Sequence, residues 1–165
     1  MPNFASFSGL ITRISDFYTR DERNVGCYKL MSVQNRRRGQ VNFVVRPDTY
    51  FVDQAMMAEG EAVIGFYDAD APVPLIYPPQ YEAVVMARAS RGESVKVDYF
   101  DTHLVSSDGQ LRLNISSTTK IIQENGQLFT GDLGNRYLTV VYGPTTRSIP
   151  AQTTPYEVIV MCRLE

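Results

Sequence analysis

The residues that could carry out chemistry are few, and the most suggestive group surrounds the one histidine. Asp101, His103 and Ser106 supply a carboxylate, an imidazole and a hydroxyl, which are the parts of a nucleophilic triad. A triad requires a defined geometry, whereas Asp101 and His103, two positions apart on a strand, merely share a face. The sequence also has no G-x-S-x-G, P-loop, G-x-G-x-x-G or H-E-x-x-H pattern. We therefore interpret His103 as an ordinary strand residue and predict no catalytic residue.

Metal-binding patterns are equally sparse. Asp68 and Asp70 could offer two carboxylates to a cation, but the proline-rich continuation supplies none of the further oxygen ligands of a calcium loop. Cys27 and Cys162 lie far apart without the spacing of a zinc site or of a disulfide-rich scaffold. We interpret both cysteines as reduced core residues, with a single disulfide between them as the alternative. We predict no metal and no cofactor.

The elements that must position any site are predicted to be strands. Apolar residues recur with period two at Val41, Phe43 and Val45, and again through residues 111–115. Asn125-Gly126 is a dipeptide of tight hairpins, and similar turn residues separate the other β-branched and aromatic runs. The sequence therefore predicts an all-β fold.

One short helix is predicted within this pattern. Asp53 could cap residues 54–59, and Gly60 could end the helix in the left-handed conformation. A helix between the third and fourth strands is the connection that OB-type Greek-key barrels use.

An internal repeat divides the chain. Residues 81–88 match residues 156–163 at five of eight positions, beginning with Tyr81 and Tyr156. Tyr67 and Tyr142 are separated by the same offset, whereas Thr49 and Thr119 match at a slightly shorter one. We predict two tandem OB-like repeats, with Tyr81 and Tyr156 in equivalent places.

The repeats are predicted to span residues 1–89 and 95–165. Because only residues 90–94 separate the last strand of the first copy from the second copy, we expect no independent first strand there. The number of strands for which each copy has room fits two fused barrels that share one long strand better than a single larger sheet system.

Three adjacent arginines, Arg36, Arg37 and Arg38, fall in the predicted loop between the second and third strands. They could hold phosphate, but the equivalent loop of the second copy, residues 106–108, carries an acid instead. We interpret the arginines as a solvated hairpin tip.

Each copy has a proline-bearing connection before its last strand, residues 72–79 and 144–155. Because proline cannot donate a backbone hydrogen bond, these loops should lie at the surface. In OB barrels this loop lines the ligand face, and we therefore predict four contact residues: Tyr77, Tyr81, Arg147 and Gln152.

Composition limits the partners. The chain has 16 basic and 18 acidic residues, a net charge of -2, so non-specific attraction to nucleic acid or anionic lipid is not expected. There is no transmembrane segment and no signal-peptide pattern, which favours the cytoplasm.

Four segments carry a family resemblance: GFYDA at 65–69, LIYPPQY at 75–81, LNIS at 113–116 and RSIPAQTTP at 147–155. They resemble an uncharacterised bacterial tandem-repeat β domain found beside regions similar to the copper amine oxidase N-terminal domain in surface proteins. The resemblance implies a location that could be the cell surface and carries no catalytic residue over.

From these observations we predict a non-enzymatic binding or interaction module. Protein and saccharide partners stay open, and two alternatives remain: a binder of single-stranded nucleic acid or oligosaccharide, and a purely structural module.

Overall fold

The computed structural model describes residues 2–164, in which eleven strands and two 3-10 helices of three residues each are formed. The predicted all-β class is confirmed. The chain divides into two compact units, and the boundary lies between Ala89 and Ser90. No helix within these residues is long and apolar enough to cross a membrane.

Unit 1 is a closed five-stranded barrel with the strand order β1-β2-β3-β5-β4. Neighbouring strands are antiparallel except β3 and β5, which are parallel. Its strands are β1 (Phe4–Asp16), β2 (Lys29–Asn35), β3 (Gly39–Phe51), β4 (Ala62–Asp68) and β5 (Gln80–Arg88).

The alternating residues of β3 fill the barrel. Val41, Phe43 and Val45 are all buried and belong to one apolar core cluster. The Phe43 ring lies against Gly65 of β4, where an added Cβ would come within 2.6 Å of Phe43 Cζ. Glycine at this position therefore leaves the space that the large Phe43 side chain occupies.

The predicted helix over residues 54–59 is wrong. The structure has a 3-10 helix at Val52–Gln54, and Asp53 and Gln54 have positive φ angles of 60° and 50°. An N-cap residue requires an extended backbone, so Asp53 cannot cap a helix from this conformation. Gly60 does adopt the predicted left-handed conformation, with φ of 91°. Met57 enters the core of the barrel from this connection.

Unit 2 contains a four-stranded sheet with the order β6-β9-β11-β8 and a parallel pair of β7 with β10. Its apolar core cluster includes Phe100, Leu138 and Val158. The strands are β6 (Ser94–Phe100), β7 (Leu111–Leu113), β8 (Lys120–Gln123), β9 (Arg136–Tyr142), β10 (Ala151–Thr153) and β11 (Glu157–Val160).

Contrary to expectation, unit 2 begins with a strand that pairs as the first strand of unit 1 does, since β6 pairs antiparallel with β9 as β1 pairs with β4. Between β6 and β7 the pairing is limited to isolated bridges, from Val105 to Arg112 and from Ser106 to Phe100. A tight turn lies in this segment, where Asp101 accepts backbone N–H groups of His103 and Val105 at 2.8 and 3.0 Å.

The two units share pairing registers, with one correction. Asn42 lies opposite Gln80 in unit 1, and Arg112 lies opposite Gln152 in unit 2. If these two pairs are matched, the next residue along β5, Tyr81, corresponds to Thr153 of β10. The predicted equivalence of Tyr81 with Tyr156 is therefore wrong.

A threonine in each unit supports this register. Thr49 Oγ1 donates to the Ala83 carbonyl at 2.8 Å, and Thr119 Oγ1 donates to the Pro155 carbonyl at 2.8 Å. The same alignment that matches the paired strands brings both donors and both acceptors into equivalent places. The identities between residues 81–88 and 156–163 therefore do not follow the strand pairing, since residue type alone does not fix the register of a buried strand.

Candidate functional site

A cleft of about 290 Å³ lies in unit 1 beside residues 69–79, which connect β4 to β5 and are called the proline loop here. Four prolines, including Pro72 and Pro74 at the cleft, give this loop its rigid backbone. The barrel wall contributes side chains of β3, β4 and β5. The lining includes Val44, Tyr67, Asp68, Gln80, Tyr81 and Glu82.

Two tyrosines and Phe17 are the aromatic residues that line the cleft. The rings of Tyr67 and Tyr81 are stacked, with centroids 3.9 Å apart and planes within 7°. Burial raises the pKa of Tyr67, as do the nearby Tyr81 and its hydrogen bond, whereas Arg38 opposes the shift. Both rings also pack on the core cluster of the barrel, which fixes their orientation.

Three polar residues also line the cleft: Asp68, Gln80 and Glu82. Asp68 Oδ1 accepts the backbone N–H groups of Asn3 and Asp70 at 3.2 and 3.0 Å. Glu82 Oε1 accepts from Arg46 Nη1 at 3.1 Å. The Gln80 side chain makes no hydrogen bond with any residue in 2–164, so its amide retains a free donor and a free acceptor.

The electrostatics of the cleft are acidic. Asp68 and Glu82 contribute carboxylates, while the guanidinium of Arg46 beside Glu82 also pairs with Asp48 at 3.2 Å. Burial lowers the pKa of Arg46, but Asp48 and Glu82 outweigh that effect and raise it overall. A polyanion therefore finds an unfavourable surface here.

The four predicted contact residues divide between the two units, with Tyr77 and Tyr81 in unit 1 and Arg147 and Gln152 in unit 2. Tyr81 lines the cleft, whereas Tyr77 lies elsewhere on the proline loop and is 82% exposed. Arg147 is exposed on the connection that follows β9 in unit 2. Gln152 lies on β10, where its Oε1 accepts from Asn114 Nδ2 at 3.1 Å.

Tyr67 and Gln80 line the cleft but were not among the four predicted contact residues. Tyr67 lies near the end of β4 and Gln80 begins β5, so both flank the proline loop that had been singled out. The rule that the ends of strands next to a ligand-binding loop also line the site could have found them.

The histidine group does not form a triad. His103 is exposed, and Asp101 accepts its backbone N–H rather than a ring N–H. Ser106 Oγ donates to Asp108 at 2.6 Å, and Ser107 Oγ donates to Asp98 at 2.5 Å. Hydrogen bonds from the Val105 and His103 backbone lower the pKa of Asp101, so this carboxylate organises the turn.

The remaining sequence candidates are ordinary structural features. Residues 36–38 form the tip of the β2–β3 hairpin, as predicted. Cys27 and Cys162 are free and exposed, so their interpretation as core residues is wrong. Within residues 2–164, no cluster of three His, Cys, Asp or Glu side chains is arranged to hold a metal ion.

Unit 2 has a cleft of its own, of about 480 Å³, between the turn after β6 and residues 131–135. Its described lining residues include Leu104, Ile121 and Leu133 but no aromatic ring. The cleft of unit 1 is therefore the better candidate for stacking on a ligand.

No protein-family model, no curated protein and no solved structure matches this chain.

Proposed function

We propose that the protein is a non-enzymatic binding module of two OB-type units and that the cleft of unit 1 binds an uncharged oligosaccharide. The strand order of unit 1, with β3 parallel to β5, supports the OB-type assignment. In barrels of that type the β4–β5 loop borders the sites that take oligosaccharides or oligonucleotides. The proline loop occupies this place.

The assignment of unit 2 as a second, partly opened copy rests on pairing. Its strands β6, β9 and β11 reproduce the neighbours of β1, β4 and β5, and the two threonine hydrogen bonds recur. The limited pairing between β6 and β7 then accounts for the absence of a closed barrel among the described residues of this unit.

The free amide of Gln80 is the observation that favours a saccharide as the ligand. A sugar hydroxyl both donates and accepts, so it matches an amide that has unused groups of both kinds. The carboxylates of Asp68 and Glu82 add acceptors for hydroxyl groups, and Tyr81 forms part of the wall of the cleft. The same carboxylates repel phosphate, which favours an uncharged saccharide over a nucleic acid.

The proposal that the module is non-enzymatic is supported by the arrangement around His103. Its candidate partners, the hydroxyls of Ser106 and Ser107, donate to carboxylates of other residues. A nucleophile needs an activating base within hydrogen-bond reach, and these hydroxyls are engaged away from the imidazole.

The test is a titration of the labelled full chain with cellohexaose, chitohexaose and maltohexaose, followed by NMR. We expect the backbone signals of Tyr67, Gln80 and Tyr81 to shift with at least one of them. Tyr81→Ala should weaken that binding about tenfold, since stacking contributes roughly 1–3 kcal/mol. Tyr156→Ala, an exposed tyrosine of unit 2, is the matched control and should bind as the wild type does.

An oligothymidylate in the same titration tests the nucleic-acid alternative. The proposal fails if none of the three hexasaccharides moves the cleft signals, or if oligothymidylate moves them more strongly.

A further inference from the structure

We propose that one end of unit 1 docks on an anionic lipid bilayer. The surface consists of Leu75, Ile76 and Tyr77 of the proline loop together with the arginines of the β2–β3 hairpin, and is called the docking tip here. This inference is independent of the saccharide cleft, because none of these residues lines it.

The apolar half of the docking tip is unusually exposed. Leu75 is fully exposed, Ile76 is 54% exposed and Tyr77 is 82% exposed. Three consecutive large apolar side chains in contact with water are unfavourable unless something covers them. Pro74 and Pro78 flank the three residues, so the loop is ordered before it meets a partner and loses little entropy on binding.

The cationic half lies at the same end of the barrel. Gly39 directly follows the hairpin tip, and a Cβ atom built on Gly39 would lie 3.9 Å from the Tyr77 hydroxyl. The Pro79 carbonyl accepts the backbone N–H of Asn42 at 2.8 Å, which holds the loop along the start of β3. The proline loop and the hairpin therefore present their side chains together.

The arginines of the hairpin differ from three other arginines of unit 1 in their partners among the described residues. Arg23, Arg46 and Arg88 form ion pairs, whereas none of the three hairpin arginines pairs with a carboxylate in residues 2–164. Arg38 lies over the Phe7 ring at 4.9 Å and donates to the Ser6 carbonyl. Its two neighbours at the tip are exposed, so their charge faces solvent.

A bilayer of anionic lipid satisfies both halves at once. Leucine and isoleucine side chains enter the boundary between headgroups and acyl chains, a tyrosine ring is favoured at that depth, and guanidinium groups bind phosphates at the surface. A nucleic acid would use the arginines and the tyrosine ring but would leave Leu75 and Ile76 in water. The apolar pair therefore favours the membrane.

The test is sedimentation of the full chain with vesicles of phosphatidylcholine alone and of phosphatidylcholine mixed with an equal part of phosphatidylglycerol. We expect binding to the mixed vesicles only, weakening as salt is added. The double variant Leu75→Ser with Ile76→Ser should lower the affinity about tenfold while the charge is unchanged. Arg36→Gln with Arg37→Gln should lower it by a similar factor.

Ile149→Ser in the corresponding connection of unit 2 is the matched control, since Ile149 is 85% exposed and lacks the arginine hairpin. It should bind the mixed vesicles as the wild type does. The proposal is overturned if the mixed vesicles do not bind, or if the serine double variant binds them unchanged. It is also overturned if oligothymidylate competes with the vesicles and the serine double variant still binds it. The saccharide titration is a separate measurement, so its failure is distinguishable from failure here.

Discussion

Gln80 of unit 1 and Gln152 of unit 2 occupy matching positions in the strand pairing of their units. The residue next to each glutamine explains why the amide of Gln80 is free. Gln152 is hydrogen-bonded to Asn114, and the register that matches Asn42 with Arg112 places Val44 at the corresponding position of unit 1. Valine is buried there and has no group with which to bond Gln80. A single apolar residue on β3 therefore leaves the amide available at the cleft.

Sequence reasoning at this scale found Tyr81 but not the residue that distinguishes the units. Whether an amide is bonded depends on a side chain from a different strand, and that pairing is invisible until the register is known. The interpretation of His103 as a strand residue that shares a face with Asp101 is wrong, because β6 ends at Phe100 and both residues lie in the turn that follows.

Asp108 gives a prediction on pH. Burial raises its pKa, but hydrogen bonds from Lys96, Ser106 and the Gln110 backbone outweigh burial, so the pKa is lowered overall. A lowered folded-state pKa stabilises the protein above the unfolded-state value of about 3.9, and the effect is lost as the pH falls through the folded-state value. Because the Asp108 side chain is 45% exposed, solvent screening keeps the contribution below about 1 kcal/mol.

The measurement is an NMR titration of the carboxyl group of Asp108, for which we expect a midpoint below the ordinary value. Asp108→Asn should lower the free energy of unfolding near neutral pH, and the difference from wild type should shrink as the solution becomes acidic. A midpoint at or above the ordinary value would be incompatible with this account.

At the scale of elements, register was the property that the sequence left undetermined. Alternation identified β3, and the hairpin at residues 36–38 was placed correctly. The apolar runs of β5 and β11 have no such alternation, so matching by residue type aligned them out of their true register. The helix at 54–59 failed because Asp53 and Gln54 adopt left-handed angles.

The two threonines that support the register yield a prediction on stability. Thr49→Val and Thr119→Val each remove a hydroxyl that donates to a backbone carbonyl, of Ala83 and of Pro155, and each should cost about 1–3 kcal/mol. We expect faster amide hydrogen exchange in unit 1 for the first variant and in unit 2 for the second.

Thr145→Val, on an exposed loop, is the matched control, and Thr49→Ser should restore most of the lost protection because it keeps the hydroxyl. If either valine variant exchanged as slowly as the wild type, that threonine would not hold its two segments together.

At the scale of the whole molecule, alternation and turn dipeptides were sufficient for the all-β class. They were insufficient to predict the strands of unit 2, where Asp101 organises a turn and the segment before β7 forms only two isolated bridges. The cleft was not predictable because it needs residues from three strands and a loop, and only the closed barrel brings these together.

The asymmetry of the two units is also what the proposed function requires. Each unit has a proline-bearing connection before its last strand, but within the described residues only unit 1 combines such a loop with stacked aromatic rings and a free amide at one cleft. One chain should therefore bind one saccharide.

The most direct test is the affinity of the best-binding hexasaccharide for Gln80→Ala compared with Gln152→Ala. The account predicts that the first variant loses affinity about fivefold or more, as expected for one lost hydrogen bond, while the second matches the wild type. Equal losses in both variants, or no loss in Gln80→Ala, would contradict the assignment of the ligand site to unit 1.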